Sequence, residues 1–260
     1  MPAQEVPVPY LRASRLRAFA DNFFIDTNFR VIFEDEELLI LDKPSPLAVH
    51  PVGAYAELNL HSLLKKDPRW EGQAIRFTHR LDAETSGVLC AAKTAAAARF
   101  VGIEFMNGRV EKTYHALVFG RPEKSEGEID IRLGHDESSG FQTVRIADPV
   151  NGEEAVTRYR VLWSADGYSW LEIKPLTGRT HQIRAHLALL GHPIVGDKIY
   201  IDLNLFREYV VGGLNDALLS RLKLPRLALH ASRLSFRHPV THERVEFSSA
   251  APAFMRGIRP

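Results

Sequence analysis

Hydrophobic and polar residues alternate with a period of two in several segments of this chain, the mark of half-buried strands. "RVIFEDEELLILDKP" (30–44) predicts strand, acidic turn and strand, closed by a proline that cannot extend a ladder. "SGVLCAAK" (86–93) is nearly all apolar, the pattern of a short strand buried on both faces. "RVEKTYHALVFG", "GEIDIRL", "QTVRIA", "EAVTRYRVLW" and "YSWLEIKP" predict further strands, and "LALHASRLSFRHP" with "RVEF" the last two.

Two stretches lengthen the period. "AAAARFVGIEFMN" (95–107) predicts a helix with Thr94 as its N-cap and Gly108 as its stop. "THQIRAHLALLG" (180–191) carries Ile183, Leu187 and Leu190 at i, i+4, i+7, with Gly191 and Pro193 ending it. Long runs of strand with two or three inserted helices predict an α+β fold around a mixed, mostly antiparallel sheet. A doubly wound sheet would need regular strand–helix alternation, which the pattern lacks. Residues 1–29 read as a leader containing a short basic helix packed on the body, and 30–260 as one catalytic domain.

Composition narrows the function classes. With 260 residues, 45% hydrophobic and 25% charged, the chain can bury a substantial core. Thirty-three Lys and Arg against 32 Asp and Glu leave a net charge of +1, so a nucleic-acid partner would require basic residues gathered on one face. One cysteine, Cys90, excludes an intrachain disulfide and a Cys-rich zinc site and fits a reducing cytoplasm. No apolar run approaches the roughly 18 residues of a membrane span, and the opening "MPAQEVPVPYLRASRLRAF" has no apolar signal core. A cytoplasmic protein without membrane contact is expected.

Eleven histidines raise the question of a metal. His181 and His186 are five apart on a predicted helix and do not share a face, and no His-Glu-x-x-His occurs; no metal site is expected. "LTGRTHQIR" lacks the glycines and the Gly-Lys-Ser/Thr ending of a nucleotide loop. It does gather Lys174, Arg179, His181 and Arg184 within eleven residues, donors suited to an RNA phosphate or simply to solvent. Ser86 precedes Gly87, yet "ETSGV" is not the Gly-x-Ser-x-Gly elbow of a serine hydrolase. In "HRLDAETSGV" (79–88) an extended backbone would put Arg80 and Asp82 on one side and His79 and Leu81 on the other. Alone, such a pair is most often a surface ion pair worth about 0–1 kcal/mol.

Its company changes the reading. "LDKPSPLAVHP" (41–51), "HRLDAETSGVLCAAK" (79–93), "EKTYHALVFG" (111–120), "PLTGRTHQIRAHLALLGHPIVGDKIY" (175–200) and "LALHASRLSFRHP" (227–239) occur in this order, and together they resemble the RluA-type family of RNA pseudouridine synthases. The resemblance implies an isomerase that converts a chosen uridine in ribosomal or transfer RNA to pseudouridine, with no cofactor and no metal. It implies that Asp82 is the essential aspartate, Arg184 the arginine that keeps it ionised, and Tyr114 the active-site tyrosine that stacks on the uracil, with Ile183 closing the pocket. A neighbouring arginine lowers an aspartate pKa by roughly 1–3 units. A uridine in structured RNA must be extruded before its glycosidic bond is reached, at a cost of a few kcal/mol. The resemblance assigns Arg80 to filling the vacated space, while Arg179, His181 and Lys174 are expected at the RNA. A monomer is expected. Pro46, Ala83 and Ile201 depart from the family pattern, at positions where glycine, a basic residue and glycine are usual.

Overall fold

A computed structural model describes residues 25–256; the predicted leader helix lies outside the described residues. Among the described residues the chain runs β1 (Arg30–Glu34), β2 (Leu38–Lys43), α1 (Leu60–Lys66), β3 (Arg76–Phe77), β4 (Ser86–Ala92), α2 (Ala95–Met106) and β5 (Glu111–Phe119). It continues with β6 (Glu126–Asp130), β7 (Leu133–His135), β8 (Arg145–Ala147), β9 (Val156–Ala165), β10 (Tyr168–Pro175) and α3 (Gln182–Leu189). Then follow α4 (Leu203–Gly212), α5 (Asp216–Leu222), β11 (Leu229–Arg237), β12 (Arg244–Ser248) and α6 (Ala253–Arg256).

Ten of these strands form one sheet with the path β1-β2-β4-β11-β5-β10-β9-β6, β12 pairing β11 and β3 pairing β4; β7 and β8 pair separately. Its strand pairs are antiparallel except β4 with β11, which run parallel through only two register pairs, His230↔Ser86 and Ala231↔Gly87. The architecture is α+β with a mixed, mostly antiparallel sheet. The parallel contact is a seam between a left part (β1, β2, β4) and a right part (β5, β10, β9, β6), and the loop that leads into β4 opens directly onto it.

The seam requires a bare backbone. Gly87 has φ +113, and a Cβ there would stand 2.1 Å from the Ala231 carbonyl oxygen. The glycine of "TSG" is therefore what lets β4 lie against β11. One residue earlier, the Ser86 hydroxyl donates to His230 Nδ1 at 2.9 Å, and His230 Nε2 faces the Ser249 carbonyl at 3.1 Å.

β4 is buried along its whole length, as its apolar run predicts. Leu89 and Ala91 enter a core with Leu39, Leu41, Leu47, Trp70 and Leu81 on one face. Val88, Cys90 and Ala92 enter another with Leu38, Ile40, Val101 and Phe236 on the opposite face. A third core joins Leu117, Leu171 and Ile173 of the right part to Ile183 and Leu187 of α3. Ile25 and Phe29 pack against the Leu39 core, so the packed body includes the described residues just ahead of β1.

Two helices appear where the spacing predicts them. Thr94 caps α2, its side chain accepting from the Ala97 amide. In α3 Ile183 and Leu187 are buried, whereas Leu190 is exposed because the helix ends at Leu189. The small number of helices expected from the pattern is corrected upward: α1, α4, α5 and α6 are also present among the described residues. Leu205, Tyr209, Leu218 and Leu222 give α4 and α5 a small core of their own, and Asp202 and Asn215 cap them. Among the described residues no helix is long and apolar enough to cross a membrane.

Candidate active site

The loop carrying Asp82 is built from backbone bonds and two lysines. The Thr85 amide closes a turn on the Asp82 carbonyl at 3.1 Å, and Leu81 is buried beneath it. His79 Nε2 accepts from the Cys90 amide at 3.0 Å and its ring stacks on Phe105. On one side the fully buried Lys43 donates to the carbonyls of Pro44, Leu47 and Ala83 at 2.9, 2.7 and 3.1 Å. Burial pushes its pKa down to about 7, against the pull of Asp82. On the other side Lys198 reaches both Glu84 oxygens at 2.7 and 2.9 Å and the Pro225 carbonyl at 3.1 Å. The aspartate thus sits on a loop pinned from two directions.

Opposite stands α3. Arg184 Nη1 lies 3.3 Å from Asp82 Oδ2, while its Nε and Nη2 donate to both oxygens of Asp197 at 2.7 and 2.8 Å. Asp197, fully buried, also accepts from the amides of Ile199 and Tyr200. The fork-to-carboxylate pair fixes the guanidinium plane, and the third nitrogen is left for Asp82. Burial opposes ionisation of Asp82, but His181, Arg184 with its hydrogen bond, and Arg80 outweigh it and hold the carboxyl below its ordinary range.

His181 Nε2 is 3.8 Å from the same Asp82 oxygen. Its Nδ1 is 3.2 Å from the Tyr200 hydroxyl, which accepts from the Arg145 amide at 3.0 Å. With that amide as donor, the Tyr200 proton is free to point at Nδ1, leaving the imidazole proton on Nε2 toward Asp82. Burial and the Arg184 charge push His181 down to about 4, so the ring is neutral at pH 7. It holds φ +56 at the head of α3, a left-handed backbone that non-glycine residues adopt at a cost of order 1 kcal/mol.

A cleft of about 630 Å³ crosses the seam and is lined by Arg80, Asp82, Tyr114, Arg179, His181, Ile183 and Arg184. Tyr114 stands on β5, which borders β11 on the far side of the seam. Burial and the Asp82 charge raise its hydroxyl pKa, so the phenol keeps its proton. Arg80 is exposed at the rim, with no hydrogen bond or ion pair among the described residues. Arg179 lines the cleft but spends donors on the Glu154 carbonyl and Glu153.

Lys174 is not brought to this cleft. On β10 its neighbours Ile173 and Pro175 are buried, so Lys174 points to the opposite face, where it borders a shallow depression with Arg158, Arg160 and Glu172. Asp197, Tyr200, Lys43 and Gln182 enter the site without having been singled out by sequence reasoning. Gln182 accepts from the Thr177 hydroxyl and the Arg179 amide and donates to Val156 and Thr157, which sets the turn before α3. A glutamine one residue ahead of the Ile183–Leu187 stripe is the signal that was present for it. Ser86, bonded to buried His230 and itself buried, has no access to a substrate for hydrolase chemistry. Among the described residues no group of three or more His, Cys, Asp or Glu side chains is placed to hold a metal ion.

The family model for RNA pseudouridylate synthase matches residues 37–189. The chain is 33% identical over 228 residues to an RNA pseudouridine synthase of Synechocystis sp., covering 86% of this chain and 65% of that protein. It is 33% identical over 237 residues to ribosomal large subunit pseudouridine synthase D of Zymomonas mobilis, covering 89% and 72%. It therefore spans about two thirds of the length of these curated relatives. The solved structure of human RNA pseudouridylate synthase domain containing 1 superposes with TM-score 0.67 at 30% identity, covering 86% of this chain and 84% of that one.

Proposed function

This chain belongs to the RNA pseudouridylate synthase family, and from that premise we propose that it isomerises uridine to pseudouridine in RNA. Large-subunit ribosomal RNA is the substrate that the name of the Zymomonas mobilis relative favours over transfer RNA. A cytoplasmic setting belongs to the same reading and accords with Cys90, a buried free thiol. In the reaction the N1–C1′ bond breaks, the uracil turns, the C5–C1′ bond forms, and the proton lost from C5 is balanced by one gained at N1.

The observation that carries the proposal is the convergence of Asp82, Arg184 and Tyr114 on one cleft, although they lie far apart in sequence. A carboxylate can attack the sugar, attack the base, or remove a sugar proton, and each route needs it ionised. Arg184 supplies that condition. Tyr114 offers the extruded uracil a stacking face, worth roughly 1–3 kcal/mol for a base on an aromatic ring. Ile183, buried beside it, closes the pocket with an apolar contact. Arg80, charged and unpaired at the rim, is suited to hold the strand that the uridine leaves.

The test is Asp82→Asn, assayed for pseudouridine in an unmodified large-subunit ribosomal RNA transcript. Product should fall below detection while affinity for the transcript stays within a few-fold. Product at the wild-type rate would remove Asp82 from its role. A wild-type protein that binds RNA and leaves every uridine unchanged would favour a binding module instead.

A further inference from the structure

Of the cleft's five arginine, lysine and aspartate linings, Arg80 and Lys112 form no ion pair among the described residues. Arg184 is shared between two carboxylates, Asp197 and Asp82. Arg179 is paired with Glu153 at 3.2 Å. Arg80 stands at the rim. The remaining cation, Lys112, lines the interior of the cleft and is half-buried. Among the described residues it has no acidic partner, and its one hydrogen bond is to the Thr177 carbonyl at 2.9 Å.

An ammonium taken partly out of water without a counter-ion is costly unless an anion arrives to pair with it. The surroundings leave room for one. Lys112 Nζ lies 3.9 Å from where a Cβ on Gly178 would stand, so the glycine of "LTGR" keeps that side of the ammonium uncovered. Lys112 also precedes Tyr114 by two residues on β5, so both side chains leave the strand on the same face, about 6.8 Å apart along it. That separation is of the order of the distance from a nucleobase to a phosphate of the same nucleotide.

Building on the RNA reading above, we propose that Lys112 is the binding site for a backbone phosphate of the extruded nucleotide, held while its base lies against Tyr114. The occupant is an RNA phosphodiester, and the site is separate from the Asp82–Arg184–Asp197 cluster, whose net charge is negative. Consistent with an unpaired ammonium, burial pushes the Lys112 pKa down to about 8 with no acidic group raising it. Nearby His79 is pushed down to about 3 by burial and by Lys112, and stays neutral where Lys112 titrates.

The experiment measures affinity for an unmodified large-subunit ribosomal RNA transcript between 50 and 200 mM KCl. Lys112→Met should bind roughly tenfold weaker or more, as loss of a charged hydrogen bond implies. Its plot of log affinity against log salt should be shallower than wild type by about 0.7, the release of one counterion. Lys112→Arg keeps a permanent cation: it should keep the wild-type salt slope and lose the decline in affinity that the wild type shows as pH rises through about 8. An unchanged slope in folded Lys112→Met overturns the proposal, including the case where turnover alone falls, which would move Lys112 to the base. Should Lys112→Met not fold, Lys112→Arg with the wild-type pH dependence overturns it equally. Failure of the RNA reading itself looks different, because the wild type would then show no salt-dependent affinity for the transcript.

Discussion

At the scale of single residues, the candidate site makes one carboxylate, Asp82, easy to ionise and hard to move. Asp82 has a folded pKa below its ordinary 3.8. A depressed folded value stabilises the native state above the unfolded pKa, and that contribution is lost as pH falls through the folded one. The acid limb of kcat/KM should therefore lie below about pH 3.8, and His181, at about 4, should add no inflection near 6.5. A pH–rate profile from 4.5 to 6, below the range in which Lys43 titrates, checks this. A rate that falls steadily as pH drops from 6 to 5 would contradict it. Asp197, fully buried, orients Arg184 through its two hydrogen bonds. Asp197→Asn weakens the fork that orients Arg184, and single-turnover kinetics should show kcat reduced by roughly tenfold or more, with KM changed little. Arg184→Lys should behave similarly, since a lysine cannot grip Asp197 in two places and still reach Asp82.

At the scale of elements, the period-two pattern places strands well because the sheet's faces are differently covered, and it fails where structure is short. The predicted α2 stands with its Thr94 cap, and β4 is buried on both faces as its composition demands. α4 and α5 went unread although Asp202 and Asn215 were there as caps and Leu205 and Tyr209 stand at i, i+4. Within the site, Asp82, Tyr114 and Arg184 were legible through the motifs that hold them. Asp197 was not, because "GDKIY" reads as an ordinary turn until α3 brings Arg184 beside it. The position of Lys174 was legible and ran against its assignment, since alternation along β10 puts it on the face opposite Ile173. The seam glycine has a sharp expectation. Gly87→Ala forces a methyl group into the Ala231 carbonyl at a backbone angle that alanine avoids. It should destabilise the protein by roughly 3 kcal/mol or more, read from chemical denaturation. Gly178→Ala, whose added carbon meets nothing nearer than 3.9 Å, serves as the control with a near-native midpoint.

At the scale of the whole molecule, the near-neutral total of +1 hides an uneven distribution. Many charges are held in ion pairs, whereas at the cleft Arg80 and Lys112 form none among the described residues. Low net charge limits indiscriminate attraction to nucleic acid, so affinity must come from fit inside the cleft. The cleft in turn exists only because two parts of the sheet are held together at their centre. β11, near the end of the chain, is the strand that does this, contacting β4 on one side and β5 on the other. Without residues 229–237 the two parts of the sheet would share no strand pairing among the described residues, and each would present an open edge. A version halted at residue 226 should consequently give an aggregation-prone product with no modifying activity, detectable by sedimentation and by the absence of pseudouridine.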